Sequence, residues 1–487
     1  MRAPNQPSSI TNSSTPIPAA ISAKRVWSAT FTLNSVASQE LYSTGSVSAR
    51  NRDGNRCSKQ KRFIWRDISP NPSVLPQYTG GVSKCAPGSK VCEKSKSFIP
   101  KLTRVIPYRS RPAITLKLPL YAREPKYTAP RVSVAHDRAG LGDWFVNPAK
   151  FPGGLDELIG NVNAMGMDFG LWVEPEMVNP DSDLYRAHPD WTYHFPHRHA
   201  DELRHQLVLN MTRSDVQAYI LDCLDRLLTD HNIRYIKWDM NRPFSQVGAE
   251  NLADPKMYSY LHTMAVYRIV DELKRRHPAV QFESCASGGG RCDLGAISHF
   301  DQVWTSDNTD GIDRMTIQKG YSMLHPIKTM RAWVTDIAGI NKPCSLDFRF
   351  HIAMQGALGL GGNLEKYSPE ELEICRRNVA LYKEIRPLVQ FGDLYRILDA
   401  DRDEVLCNQY VSRDKMQAVL FLSARGTRFF KKKMNLPFAG LAPDRAYAFT
   451  LDGVAYKKGG AFLMEVGLPV YVRGADYNQI VRLTAVE

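Results

Sequence analysis

From about His136 onward, short apolar runs alternate with amphipathic helical stretches, and no other feature constrains the fold as tightly. Strands separated by helices cannot pair as hairpins. Each crossover brings the chain back in the same direction, which builds a parallel sheet with helices outside it. Gly153 to Gly166 carries helical periodicity and ends on glycine. Phe169-Gly170-Leu171-Trp172-Val173 follows as a buried strand. Gln206 to Asn210 reads as the next strand, and Ser214 is placed to cap a long helix whose apolar face holds Ile220, Leu224, Leu227 and Leu228. The alternation continues through a strand at Tyr235–Asp239, a helix at Met257–Arg276, and strands at Val280–Cys285 and Gln302–Asp307. Apolar segments at Ile327–Val334 and Ile352–Leu360 precede a last helix, Pro369–Arg386.

These segments amount to seven barrel-type strands. From Val405 the period drops to two, as in Gln417 to Leu422 and Leu468 to Val472, which predicts antiparallel sheet. The expected architecture is therefore α/β: a (β/α)8-type TIM barrel over residues 136–395, lacking its first strand, followed by a C-terminal antiparallel β-sandwich over residues 396–487.

Residues 1–135 are a different material. They hold 22 Lys and Arg against 5 Asp and Glu, whereas the remainder holds 41 against 45, so the net charge of +13 belongs wholly to the first segment. Its cations are scattered among Pro, Ser and Gly rather than interleaved with aromatics, which argues against nucleic-acid binding. A basic leader, disordered or non-homologous, is the expectation; an organellar transit peptide has the same composition. The run Ile17 to Ile21 is too short for a secretory core before Lys24-Arg25. No run approaches the roughly 20 apolar residues of a membrane helix, so neither a membrane nor export is expected and the cytoplasm is the default location. Nine cysteines without regular spacing indicate neither a disulfide framework nor a zinc site.

Two of the apolar runs end on acids: Ile236-Lys237-Trp238-Asp239 and Trp304-Thr305-Ser306-Asp307. A parallel barrel gathers its chemistry at the C-terminal ends of its strands, so both carboxylates are expected at one rim. Two carboxylates there suggest glycosidic chemistry, which needs one below the sugar ring and one at the leaving oxygen. Lys237 lies two residues before Asp239 and shares its face, where an ammonium would keep a carboxylate ionised; a structural ion pair has the same spacing. Asp307 with Asn308 reads equally as an Asx turn. Between the aspartates, Phe282 to Arg291 contains Ser287-Gly288-Gly289-Gly290, small enough for backbone to approach a ligand, or simply a tight turn. No Lys-Ser or Lys-Thr follows, so a phosphate loop is set aside. Cys285 reads as a pocket wall, since no nearby histidine would activate it. Trp172 is either a sugar-stacking surface or core, and Arg204 taken alone is a surface residue.

Taken in order, these blocks resemble glycoside hydrolase family 36, the α-galactosidases. Leu141-Gly142-Asp143-Trp144-Phe145, Leu171 to Val178, His188-Pro189-Asp190-Trp191, Gln206 to Asn210, Lys237 to Arg242, Glu283 to Arg291 and Trp304 to Asp310 carry the resemblance, which runs from about residue 136 to the C-terminus. It implies double displacement with retention, Asp239 as nucleophile and Asp307 as general acid/base. Trp172, Arg204, Lys237, Cys285 and Gly288 would line the galactose subsite, with no metal or organic cofactor. The implied substrate is a galacto-oligosaccharide of the raffinose or melibiose kind, and a homo-oligomer is left open. An α-N-acetylgalactosaminidase, a galactosyl transferase and a truncated, inactive carbohydrate-binding relative are the alternatives. The family also implies an N-terminal sandwich and a first barrel strand ending in Asp-Asp-Gly-Trp. Residues 1–135 contain no Asp-Asp pair, and His205 stands where the family usually has asparagine.

Overall fold

The computed structural model describes residues 138–148, 150–336, 344–424, 432–474 and 477–487. It also describes seven short strands between Ala29 and Leu116. Six parallel strands form most of a barrel: Asp168–Val173, Ile233–Trp238, Gln281–Ser284, Gln302–Trp304, Met330–Val334 and Ala357–Leu360. Two strands from the basic segment close it. Ala113–Leu116 runs parallel beside Asp168–Val173. Ala29–Thr32 lies antiparallel between Ala113–Leu116 and Ala357–Leu360.

The barrel class stands, but its strands are not all those expected. The position expected to be empty is taken by Ala113–Leu116, which contains no acidic residue. The rest of the expectation of a leader lies outside the described residues. Gln206–Asn210 is a correction: Leu207–Val208 pairs antiparallel with Met177–Val178 in a separate two-stranded ribbon, not in the barrel. Both strands of the ribbon are fully buried, and a short buried run reads the same in either setting.

The helices follow from their sequences. Ser214–Asp230 buries Val216, Ile220, Cys223, Leu224, Leu227 and Leu228, one apolar stripe against the barrel. Its N-cap is Arg213 rather than Ser214; Asn210 Oδ1 has already turned the chain by accepting from the Thr212 amide at 3.1 Å. Pro369–Phe391 starts with a complete capping box, Ser368 and Glu371 each bonding the other's backbone. Gly392 then ends the barrel helices, and a six-stranded antiparallel sheet from Asp393–Leu398 to Asn478–Val486 faces the pair Lys432–Leu436 and Leu468–Val472. Between them lies one apolar core that includes Leu420, Leu422, Val470 and Val481. This is the sandwich that the period of two implies.

Candidate active site

Tyr235, Lys237 and Asp239 are each two residues apart, so one face of the strand Ile233–Trp238 carries all three toward its C-terminal end. Beside them Glu283, from the next strand, is completely buried. It accepts from Lys237 Nζ at 2.8 Å and from the Tyr235 hydroxyl, and Arg331 Nε lies 3.3 Å away. Two cations and the carboxylates of Glu283 and Asp239 thus meet inside the barrel. That balance is what makes the burial of so many charges tolerable. The Lys237 ammonium also sits 4.5 Å and 4.6 Å from the ring centres of Trp304 and Trp333. Burial alone would pull its pKa down, but the carboxylates of Glu283 and Asp239 hold it above the ordinary lysine value.

Asp239 is only 5% exposed. Its Oδ2 accepts from the Trp172 indole at 2.9 Å and its Oδ1 from the Met240 amide at 2.9 Å. Burial would raise the pKa of this carboxyl, yet the charge of Lys237 and hydrogen bonds from Cys285, Trp172 and Asn241 bring it below the usual carboxylate value. Trp172 is therefore a hydrogen-bond partner of the carboxylate. Its indole is buried beside Asp239.

Asp307 has the opposite setting. It is exposed, three residues past the strand Gln302–Trp304, and its Oδ1 accepts from the Trp304 indole at 2.7 Å. Arg314 is 2% exposed and braces the same turn, donating to the Thr305 hydroxyl at 2.6 Å and to the Ser306 and Asn308 carbonyls at 2.7 Å each. The strands leading to the two aspartates flank Gln281–Ser284. Their axes therefore stand about 9.5 Å apart, twice the spacing of neighbouring strands. The glycine loop fills the gap between the exits. Gly288 has φ of 90°, and a Cβ there would stand 3.1 Å from the Asp307 amide; one on Gly289 would meet the Thr305 carbonyl oxygen at 2.3 Å. Only glycine permits that approach. Cys285 closes the floor, its Sγ 4.0 Å from the Gly288 carbonyl, and burial pushes the thiol far above its ordinary pKa.

Arg204 lies outside the barrel strands, in the chain that leads to the ribbon strand Leu207–Val208. It is exposed and sits with His205 in a two-residue hairpin turn, φ 56° and 60°, closed by Leu203 and Gln206. Left-handed backbone at both central positions matches strand twist. It suits Asn, and His tolerates it. The guanidinium of Arg204 reaches the Asn241 carbonyl at 3.5 Å, two residues beyond Asp239.

Melibiase, as a described family, matches residues 132–392, and the glycosyl hydrolase family 36 C-terminal domain matches residues 405–483. The chain belongs to glycoside hydrolase family 36. Alpha-galactosidase AgaA of Geobacillus stearothermophilus is 39% identical over 356 residues, which are 72% of this chain and 48% of that enzyme. Alpha-galactosidase C of Emericella nidulans is 39% identical over 366 residues, 72% of this chain and 46% of that enzyme. The crystal structure of the Geobacillus enzyme has a TM-score of 0.69 at 39% identity, covering 72% of this chain and 49% of its own. A variant of it in complex with raffinose reaches 0.71 at 36% identity, covering 76% and 51%. The chain thus spans about half the length of the curated relatives it matches.

Glu283, Trp304, Trp333 and Arg314 went unassigned in the sequence, yet each bonds or packs against Lys237, Asp307 or the turn that carries Asp307. The signal was present for Glu283, an acid inside an otherwise buried strand beside the strand of Lys237, because a charge there must have a partner.

Proposed function

We propose that this chain is a retaining α-galactosidase that releases terminal α-linked galactose from oligosaccharides of the raffinose or melibiose kind, with Asp239 as nucleophile and Asp307 as general acid/base. The contrast between the two carboxyls carries the reading. Asp239 is buried, held ionised and clamped by Trp172, which suits in-line attack on an anomeric carbon. Asp307 is exposed at the rim, one strand beyond the neighbour of the strand that carries Asp239, where a proton can be exchanged with a leaving group and then with water. In the first step Asp239 forms a glycosyl ester while Asp307 protonates the leaving oxygen. In the second, Asp307 takes a proton from water, which attacks the anomeric carbon, displaces the Asp239 carboxylate and restores the configuration. That sequence requires carboxyl groups about 5 Å apart. Lys237, Trp172, Cys285, Gly288 and Arg204 would border the sugar. Support comes from relatives named α-galactosidases and from a Geobacillus variant crystallised with stachyose.

Asp239→Ala should abolish turnover of every galactoside. Asp307→Ala should spare the first step for substrates with activated leaving groups, and azide should rescue the second. The first product should be the α-anomer by NMR. A β-anomer, or equal loss on aryl and natural substrates without azide rescue, would refute the assignment. Transfer to a second sugar in excess acceptor would move the reading to a transferase, and galactose binding without turnover to a binding protein.

A further inference from the structure

Glu176 lies completely buried, and the mechanism above makes no use of it. Its Oε1 accepts from the Trp238 indole at 2.7 Å and from Arg291 Nη1 at 2.8 Å, while His262 Nε2 lies 2.8 Å from Oε2. Burial would drive this carboxyl toward its neutral form, but Arg291, His262 and Trp238 outweigh it and bring the pKa to about 2. Glu176 is therefore a fixed anion holding two donors that belong to different halves of the site.

The first donor, Trp238, is the residue before Asp239, and its ring also packs edge-on to Phe300. The second, Arg291, closes the glycine loop. Its Nε donates to Ser284 Oγ at 3.2 Å and its Nη2 to the Cys285 carbonyl at 3.3 Å, while Ser284 Oγ reaches back to the Arg291 carbonyl at 3.2 Å. Both ends of the loop are thereby clipped together, and the middle of it, Gly288 and Gly289, abuts Asp307 and Thr305 at backbone contact. A displacement of Arg291 has no slack in which to be absorbed.

Resting on the assignment of Asp239 and Asp307, we propose that Glu176 is a positioning residue that sets the separation of the two carboxyls through Trp238 on one side and Arg291 on the other. It touches no substrate. Its effect falls on the bond-making step, because a misplacement of about 1 Å in a reacting pair can lower the rate about 100-fold while leaving ground-state binding of the sugar largely intact.

The test uses the full chain, Glu176→Gln and Arg291→Lys, the second keeping a cation at the loop in case the first does not fold. Crystal structures of parent and variants give the Asp239–Asp307 carboxyl separation, and an aryl α-galactoside gives kcat and KM. The expected result is a separation changed by roughly 1 Å and kcat reduced on the order of 100-fold, with KM within about threefold. The effects of Glu176→Gln and Arg291→Lys should be non-additive when combined. An unchanged separation in a folded variant, or kcat and KM that both stay at parental values, overturns the proposal. If the parent itself does not turn over the galactoside, the functional reading fails on its own, and the separation still decides the positioning.

Discussion

Single residues set the protonation states here, and burial and partners decide each one against the other. Glu176 shows the balance most clearly. Its folded-state pKa of about 2 lies below the ordinary 4.5, so it contributes stability that is fully present above about pH 4.5 and is lost as pH falls toward 2. At about 1.4 kcal/mol per unit of pKa, the contribution is about 3 kcal/mol. Denaturant unfolding of the parent and of Glu176→Gln should therefore show a stability gap that narrows by about that amount between pH 5 and pH 2. A constant gap would mean that Glu176 is not ionised in the folded protein. Asp143 has the opposite sign. It is buried where it accepts from the Asp183 and Leu184 amides, and desolvation raises its carboxyl to about 6. Its ionisation opposes folding above that pH, and the opposition is relieved as pH falls from 6 toward 4.

At the scale of elements, the glycine loop and the helix caps separate function from stability. Gly289→Ala would place a Cβ 2.3 Å from the Thr305 carbonyl oxygen, against backbone rather than a movable side chain. Overpacking of this kind costs about 1–3 kcal/mol. Here it would also push the strand exit that carries Asp307, so turnover of an aryl α-galactoside should fall along with stability. Ser368→Ala is the contrasting case. It removes the capping box of Pro369–Phe391 on the outside of the barrel and should cost about 1 kcal/mol with kcat unchanged. Equal loss of activity in the two variants would show that turnover simply follows stability.

For the whole molecule, closure of the barrel depends on two strands from its most basic segment. Thr115 pairs with Thr30 on one side and Gly170 on the other. Thr115→Pro removes a backbone donor from an interior strand, and a buried polar group left unmatched costs about 1–3 kcal/mol. Thermal unfolding should shift downward accordingly, and an unchanged midpoint would mean that Ala113–Leu116 does not close the sheet. Because this strand bears no carboxylate, it offers a sugar hydroxyl no charged acceptor, which predicts weak galactose binding. Introducing an Asp-Asp-Gly-Trp strand in its place should lower KM for melibiose.

Sequence by itself determined the order of helices and strands after His136, the change from helical to two-residue period near Val405, and the two acids at strand ends. Periodicity and chain direction are local properties, and a strand crossed over by a helix has little choice but to run parallel. Tertiary structure alone decided what those side chains touch. Nothing in Leu171 to Met177 distinguishes Trp172, whose indole bonds Asp239, from a tryptophan of the core, or tells that Glu176 gathers Trp238 from 62 residues and Arg291 from 115 residues away. The same limit applied to Leu207–Val208, an apolar run whose ribbon partner, Met177–Val178, could not be told from a barrel neighbour. Hydrogen-bond partners and sheet neighbours are fixed by the closed packing of the whole barrel, and a run of residues carries no record of the surface it will meet.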